Sequence, residues 1–349
     1  MRAFKFSISD NVVDLLVNWG VKVYLLCTRA DVKKVVTSSE QQAEQQLDFS
    51  TSRKTKRLYA LVPERWHLAS KMSPADFRES EDAFKQLEME EDCDKKIGLL
   101  DACRDYLQIQ FRTMDPANHV KSFKNFWGVP HGPMLLSACF EWATGGSRDG
   151  SLRETMVQNS DSVFNMVLTV LSEMKGEAWF KKFEEEENSN EAKFGNETMT
   201  RINILRDLAK TWKNQAELIL FVEGVDDISK ISNQPFLHVA TNRQIGEGDF
   251  DEKINISLRV GTTIVFDDVS LVGGLASLIE LIFVFNLMYP PKSDDTFQFI
   301  QRILGNFGPS DGARNEQGKI KKCFIDFQCT IGRLMMDRKK AKSVKTFAV

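Results

Sequence analysis

The sequence predicts an α+β protein, mainly helical, with a small β-sheet in its C-terminal half packed against apolar helices. Three observations lead to this reading. Apolar residues recur three and four apart in most stretches between residue 74 and about 214, the pattern of helices with one buried face. Four short apolar or alternating runs follow between 217 and 269, each of strand length. After them comes a run from Leu271 to Tyr289 in which Glu280 is the single charged residue, the composition of a buried helix. With 42% hydrophobic and 27% charged residues in 349, the chain has the composition of a globular protein that can fill a core.

The first 120 residues are read as an N-terminal region, partly helical. Phe4, Phe6 and Ile8 alternate with polar residues, and an apolar stretch from Val12 to Leu26 is interrupted by Gly20. Residues 37–57, polar and without periodicity, read as a loop that ends in the basic cluster Arg53 to Arg57. A helix start is written at Ser73, Pro74 and Asp76: a side-chain cap, a residue needing no amide partner, and an acid for the positive helix end. Phe77, Phe84 and Leu87 then carry a helix over about 74–91. The spacing of Ile97, Leu100, Tyr106, Leu107 and Phe111 predicts one helix over 94–112, stopped at "MDPANH".

Residues 121–315 are read as a helical domain with a small sheet. "FKNFWGVPHGP" is an aromatic-rich connection, because its Gly and Pro residues forbid a long regular element. Helices are expected over 134–142 and 151–174. Glu184 to Glu187, followed by "NSN", reads as a solvated loop or frayed helix end, since adjacent carboxylates repel. Ile202, Leu205, Leu208, Ala209 and Trp212 give a helix near 198–214. "ELILFVEG", "FLHVA", "KINISLRVG" and "TTIVFDDV" supply the strands. The run after them predicts a helix over 270–289, stopped by Pro290, which pushes Tyr289 out of the helical region. A membrane span is not expected there. Glu280 would sit at mid-bilayer at a cost of about 2–3 kcal/mol, and Asp267, Asp268, Asp294 and Asp295 flank the run instead of basic residues.

The net charge of −3 is unevenly placed. Residues 319–349 hold nine Lys and Arg against Asp326 and Asp337, so the tail carries +7 and the rest −10. Arg338, Lys339, Lys340 and Lys342 fit a short nuclear-import pattern, and they equally offer unspecific contact to phosphates. Neither this cluster nor Arg53 to Arg57 is interleaved with aromatics, so base recognition has no support. The six cysteines are scattered without a C-x-x-C pair, which points to reduced thiols and an intracellular protein, nuclear or cytoplasmic. The N-terminus carries no secretory h-region with a cleavage site, so secretion is not expected.

Chemistry is sparse. His67, His119, His131 and His238 belong to no metal or catalytic motif, although His131 near Cys139 invites the question of an activated thiol. Gly246, Gly248, Asp249 and Asp251 lack the Lys-Ser/Thr of a phosphate loop and the ladder of a calcium loop, and read as a hairpin turn. Asp226 and Asp227 end one predicted strand, and Asp267 and Asp268 end another. If the two strands were neighbours, four carboxylates would converge as in a metal-dependent nuclease. No cofactor is indicated.

Phe285, Asn286, Tyr289 and Pro290 form an F-N-x-x-Y-P motif, with Phe297 and Phe299 beyond it and the strand Leu218 to Val222 upstream. This arrangement resembles the C-terminal region of the sterile alpha motif domain-containing protein 3-like family, an animal group of mobile-element-like distribution with no established catalytic activity. "FWGVPHGPMLLSACFEW" corresponds loosely to that family's W-P-x-L-F segment, with Gly128 and Val129 intervening. The resemblance implies a fold and a history of mobile-element origin rather than a reaction. The expectation is therefore a non-catalytic interaction protein with an unidentified protein partner. A nucleic-acid-associated protein using its basic tail and a metal-dependent hydrolase using the rim carboxylates are the alternatives.

Overall fold

Ser73 begins the helical array as its position predicts: its Oγ accepts from the Asp76 amide, and Pro74 occupies the first turn of α1, Pro74–Met89. The structure is a computed structural model. It describes residues 73–128, 131–144, 151–194, 197–227, 234–243, 252–285 and 292–307, together with Leu287, Tyr289, Pro290 and five positions between Asp326 and Arg333. The predicted strand near Phe4, the loop 37–57 and the basic residues 338–342 lie outside the described residues.

The chain divides into two compact units. One comprises Met1–Leu58, Ser162–Glu177 and Pro309–Val349; in its described part Arg333 pairs with Glu173 at 3.1 Å. The other, Tyr59–Asp161 and Ala178–Gly308, holds the sheet.

The helix expected over 94–112 is two: α2, Cys93–Leu100, and α3, Arg104–Thr113, with a turn at 101–103 between them. Both pack on α1, and a single straight rod would not let both do so. "MDPANH" stops α3 and at once starts α4, Pro116–Ser122, whose cap Asp115 accepts from the amides of Ala117 and Asn118. The aromatic connection contains one turn, α5, Lys124–Trp127, and then α6, Gly132–Thr144. Gly132 is required here, because a Cβ would collide with the Trp127 carbonyl and the Phe266 ring. α7 spans Leu152–Lys175.

Glu184 to Glu187 lie inside α8, Glu177–Phe194, and not in a loop. Four successive residues point in four directions around a helix, so their repulsion is diluted. Lys182 reaches Glu186 one turn on, and Trp179 stacks on Phe183 at 5.3 Å. α9, Thr198–Thr211, buries Ile202, Leu205, Leu208 and Ala209, as their spacing predicts.

The sheet contains four strands in the order β1-β2-β3-β4: β1, Leu220–Val222; β2, Pro235–Arg243; β3, Glu252–Val260; and β4, Thr263–Phe266. β1 runs parallel to β2, whereas β2 with β3 and β3 with β4 are antiparallel. Register places Leu220, Val222, Leu237, Val239, Ile256, Leu258 and Val260 on one face. That apolar face receives α10, Leu271–Val284. Gly274 lets the helix approach so closely that a Cβ there would meet Leu237 Cδ2 at 3.0 Å. Every residue of α10 is buried except Phe283, which is half-buried, and each large apolar side chain so buried contributes about 1.5–3 kcal/mol.

α10 ends at Val284, five residues before Tyr289. The expected helix to 289 is therefore too long. Phe285 N still donates to Leu281 O, but Leu287 N reaches back five residues to Ile282 O, which opens the last turn before Pro290 exerts any effect. Among the described residues no helix is long and apolar enough to cross a membrane. α11, Asp294–Phe299, and a wide turn, Ile300–Leu304, complete the unit.

Candidate functional site

The four rim aspartates do not converge. β1 and β4 occupy opposite edges of the sheet, with β2 and β3 between them, so the two pairs stand about 14 Å apart by ordinary strand spacing. The condition for a shared metal site, neighbouring strands, is not met. No group of three or more His, Cys, Asp or Glu side chains among the described residues is arranged to hold a metal ion.

Asp226 and Asp268 have structural tasks. Asp226 Oδ2 and Oδ1 accept from Arg206 Nη1 and Nη2 at 2.6 and 2.7 Å, and Oδ2 also accepts from the Val222 amide at 2.7 Å. Arg206 Nη1 donates further to the Leu220 carbonyl at 2.9 Å. Burial pulls Asp226 upward in pKa, but these hydrogen bonds and the guanidinium charge outweigh it and hold the carboxyl below its ordinary range. The Val222 carbonyl accepts from the amides of Val225 and Asp226. The Leu220 carbonyl and the Val222 amide and carbonyl, on the open side of β1, are thereby occupied, which blunts the edge toward another strand. Asp268 has φ +49, a left-handed conformation that Asp tolerates, and makes the turn from β4 into the Ser270 cap of α10. Asp227 and Asp267 are exposed on the rim.

The F-N-x-x-Y-P residues serve packing. Phe285 stands edge-on to Phe111 and His119 at 5.0 and 5.3 Å and stacks with Trp127 at 6.1 Å. Tyr289 stacks on Phe297 at 4.7 Å and donates its hydroxyl to Gln301 Oε1 at 2.8 Å. Pro290 is buried and its carbonyl accepts from the Ser293 amide. Asn286 lies outside the described residues.

The histidines and cysteines are similarly occupied. His119, fully buried, accepts at Nδ1 from Trp127 Nε1 at 3.0 Å, and burial lowers its pKa to about 3, so it is neutral. His238 stacks on Phe221 at 5.6 Å, and burial followed by the Arg259 charge lowers it. Cys139 is buried on α6, where burial first, then Cys103 and Glu280, raise its thiol far above the range of a nucleophile. The segment 244–251 joins antiparallel β2 and β3 but lies outside the described residues.

Sequence reading missed two features. One is the environment of Glu280, a residue the sequence marks as the single charge of its run and which is 0% exposed on α10. Ser137 Oγ of α6 donates to its Oε1 at 2.9 Å, while Oε2 has no hydrogen-bond partner. Burial pushes this carboxyl up to about 7, against the Arg153 charge and the Ser137 bond, with Glu141 adding repulsion. A lone acid in an apolar run was the signal. The other is the surface around "EMEEDCD", residues 88–94, where Met89 is 84% exposed and Cys93 Sγ meets Met134 Sδ at 3.6 Å, Met134 itself being half exposed. Compared with family models, curated proteins and solved structures, the chain matches none of them.

Proposed function

We propose that this chain is a non-catalytic protein-interaction protein, related to the mobile-element-associated group that its F-N-x-x-Y-P region resembles, and that it binds a cationic protein partner inside the cell. The observation that carries the reading is the exposure of Met89 and Met134 on acidic ground. Methionine is flexible and polarisable, so exposed methionines adapt to a partner's apolar anchors. Glu88, Glu90, Glu91, Asp92 and Asp94 flank Met89 in sequence, Cys93 among them touches Met134, and the acids would steer a basic partner to the same place. The local backbone is well held: Glu90 accepts from the amides of Glu91 and Asp92, and Asp92 accepts from Lys95 N at the start of α2. The free cysteines Cys93, Cys103, Cys139 and Cys329 support a reducing, intracellular setting, nuclear or cytoplasmic.

A photo-crosslinking residue placed in cells at Met89 or Met134, with Val157 as a control position, tests this. The expected result is one partner captured from the first two positions and not from the third. Its binding to purified protein should weaken with salt and fall at least tenfold in the Met89→Glu, Met134→Glu double variant. A partner that binds the double variant as well as the wild type would overturn the reading.

The +7 tail supports a second reading, unspecific nucleic-acid contact or nuclear import through Arg338, Lys339, Lys340 and Lys342. Deleting residues 337–345 should then abolish salt-dependent nucleic-acid binding or nuclear accumulation. Retention of both after the deletion dismisses the tail.

A further inference from the structure

Glu280 is a carboxyl group with one hydrogen bond, one unpartnered oxygen and no exposure, in the middle of α10, the most apolar of the described helices. An ionised carboxylate so placed would be a buried charge without an ion pair, which a low-dielectric core strongly disfavours. A proton on the group removes that cost.

The neighbouring cation is not spent on it. Arg153, in the first turn of α7, donates from Nη2 to Ser277 Oγ at 2.6 Å. Its Nη1 lies over the first turn of α10, where a Cβ on Gly273 would come within 3.0 Å. Gly273, Ser277 and Glu280 follow one another along one face of α10 at helical spacing, so Ser277 and Glu280 are separated by one turn, roughly 5 Å of rise. Guanidinium reach covers that distance by rotation of the arginine side chain.

Among the described residues Arg153 is the one cation that acts on Glu280. From α6 the facing groups are Ser137, the Cys139 thiol and Glu141, which is exposed and repels. From α7 the group is Arg153. The sheet face toward α10 presents Leu237, Val239, Ile256, Leu258 and Val260, none titratable.

We propose that Arg153 and Glu280 form a two-position latch set by one proton: with Glu280 protonated Arg153 rests on Ser277, and when the proton leaves to solvent the guanidinium moves one turn along α10 to pair with the carboxylate. The first turn of α7 moves with it. The burial that raises Glu280 to about 7 sets the crossing point near neutrality.

Methyl spectra of the full chain, deuterated and labelled at isoleucine, test the latch between pH 5.5 and 8.5. Ile279 and Ile282 flank Glu280 on α10 and should shift sigmoidally with a midpoint within about one unit of 7. In Glu280→Gln, which keeps the shape of the protonated acid, the low-pH spectrum should persist throughout. Ser277→Ala removes the resting acceptor of Arg153 and should lower the midpoint. Arg153→Gln removes the cation and should raise it by at least one unit, a tenfold change in proton affinity. Wild-type spectra without a titration, or midpoints unmoved by Ser277→Ala and Arg153→Gln, would overturn the proposal. Should Arg153→Gln fail to fold, the wild type and Ser277→Ala decide it alone.

Discussion

Arg206 holds Asp226 with two parallel hydrogen bonds, at 2.6 and 2.7 Å, across the open side of strand β1. Both side chains are 9% exposed, so neither charge is well hydrated without the other. Asp226→Ala should lower unfolding stability by about 3 kcal/mol, because it strands the guanidinium and frees the Val222 amide at the sheet edge. Since the carboxyl is held below its unfolded pKa, its contribution is present above about pH 4 and is lost as pH falls through the folded value. Urea unfolding at pH 7 and pH 3 checks both points. The deficit of the variant should be large at pH 7 and should shrink at pH 3. The variant should also self-associate more, with the β1 edge uncovered.

Asn214 caps a helix to which it does not belong. Its Oδ1 accepts from both the amide and the hydroxyl of Thr296 at 3.0 Å, in the first turn of α11, while the sequence-adjacent Ser293 makes no side-chain cap. Its Nδ2 donates to Asp295 at 3.2 Å. Asn214→Ala should cost about 1–2 kcal/mol, with faster hydrogen exchange at the Thr296 amide than at amides of α9. Uniform loss of protection across the unit would contradict a local cap.

Tyr289→Phe isolates one hydrogen bond. The ring remains stacked on Phe297, and only the donor to Gln301 Oε1 is removed. Gln301 is 5% exposed, so its oxygen is left without that partner in the core, and the expected loss is about 1–2 kcal/mol by chemical denaturation. A change below about 0.3 kcal/mol would mean that a water replaces the hydroxyl.

Helix spacing made α1, α9 and the core position of α10 legible, because their apolar residues and caps all point to one answer. The alternation of Ile254, Ile256, Leu258 and Val260 likewise predicted β3. Breaks inside helices were not legible: nothing local at Asp101 to Cys103 announces that α2 and α3 must both reach α1. The end of α10 at Val284 was hidden in the same way, since the visible stop, Pro290, lies downstream of the turn that actually ends it. The pairing of Asp226 with Arg206, twenty residues upstream, is a tertiary fact set by how α9 lies against β1. Strand order was hidden too: acids at two strand ends suggested a shared site, when the order β1-β2-β3-β4 separates them.

His119 supplies a pH dependence of definite sign. It is fully buried among Phe111, Phe123, Trp127 and Phe285, and burial lowers its pKa from 6.5 to about 3. The unfolded chain binds this proton more tightly than the folded one below pH 6.5. Stability from this group is therefore complete above 6.5, declines as pH falls, and is gone near 3, a total on the order of 5 kcal/mol. His119→Phe should cost about 1–2 kcal/mol at pH 8, since Trp127 Nε1 loses its acceptor in the core. Between pH 6 and pH 4 the variant should nonetheless lose less stability than the wild type, and the two curves should approach or cross. Parallel curves over that window would show that the acid sensitivity resides elsewhere, whereas convergence assigns it to the one imidazole that links α4 to the end of α10.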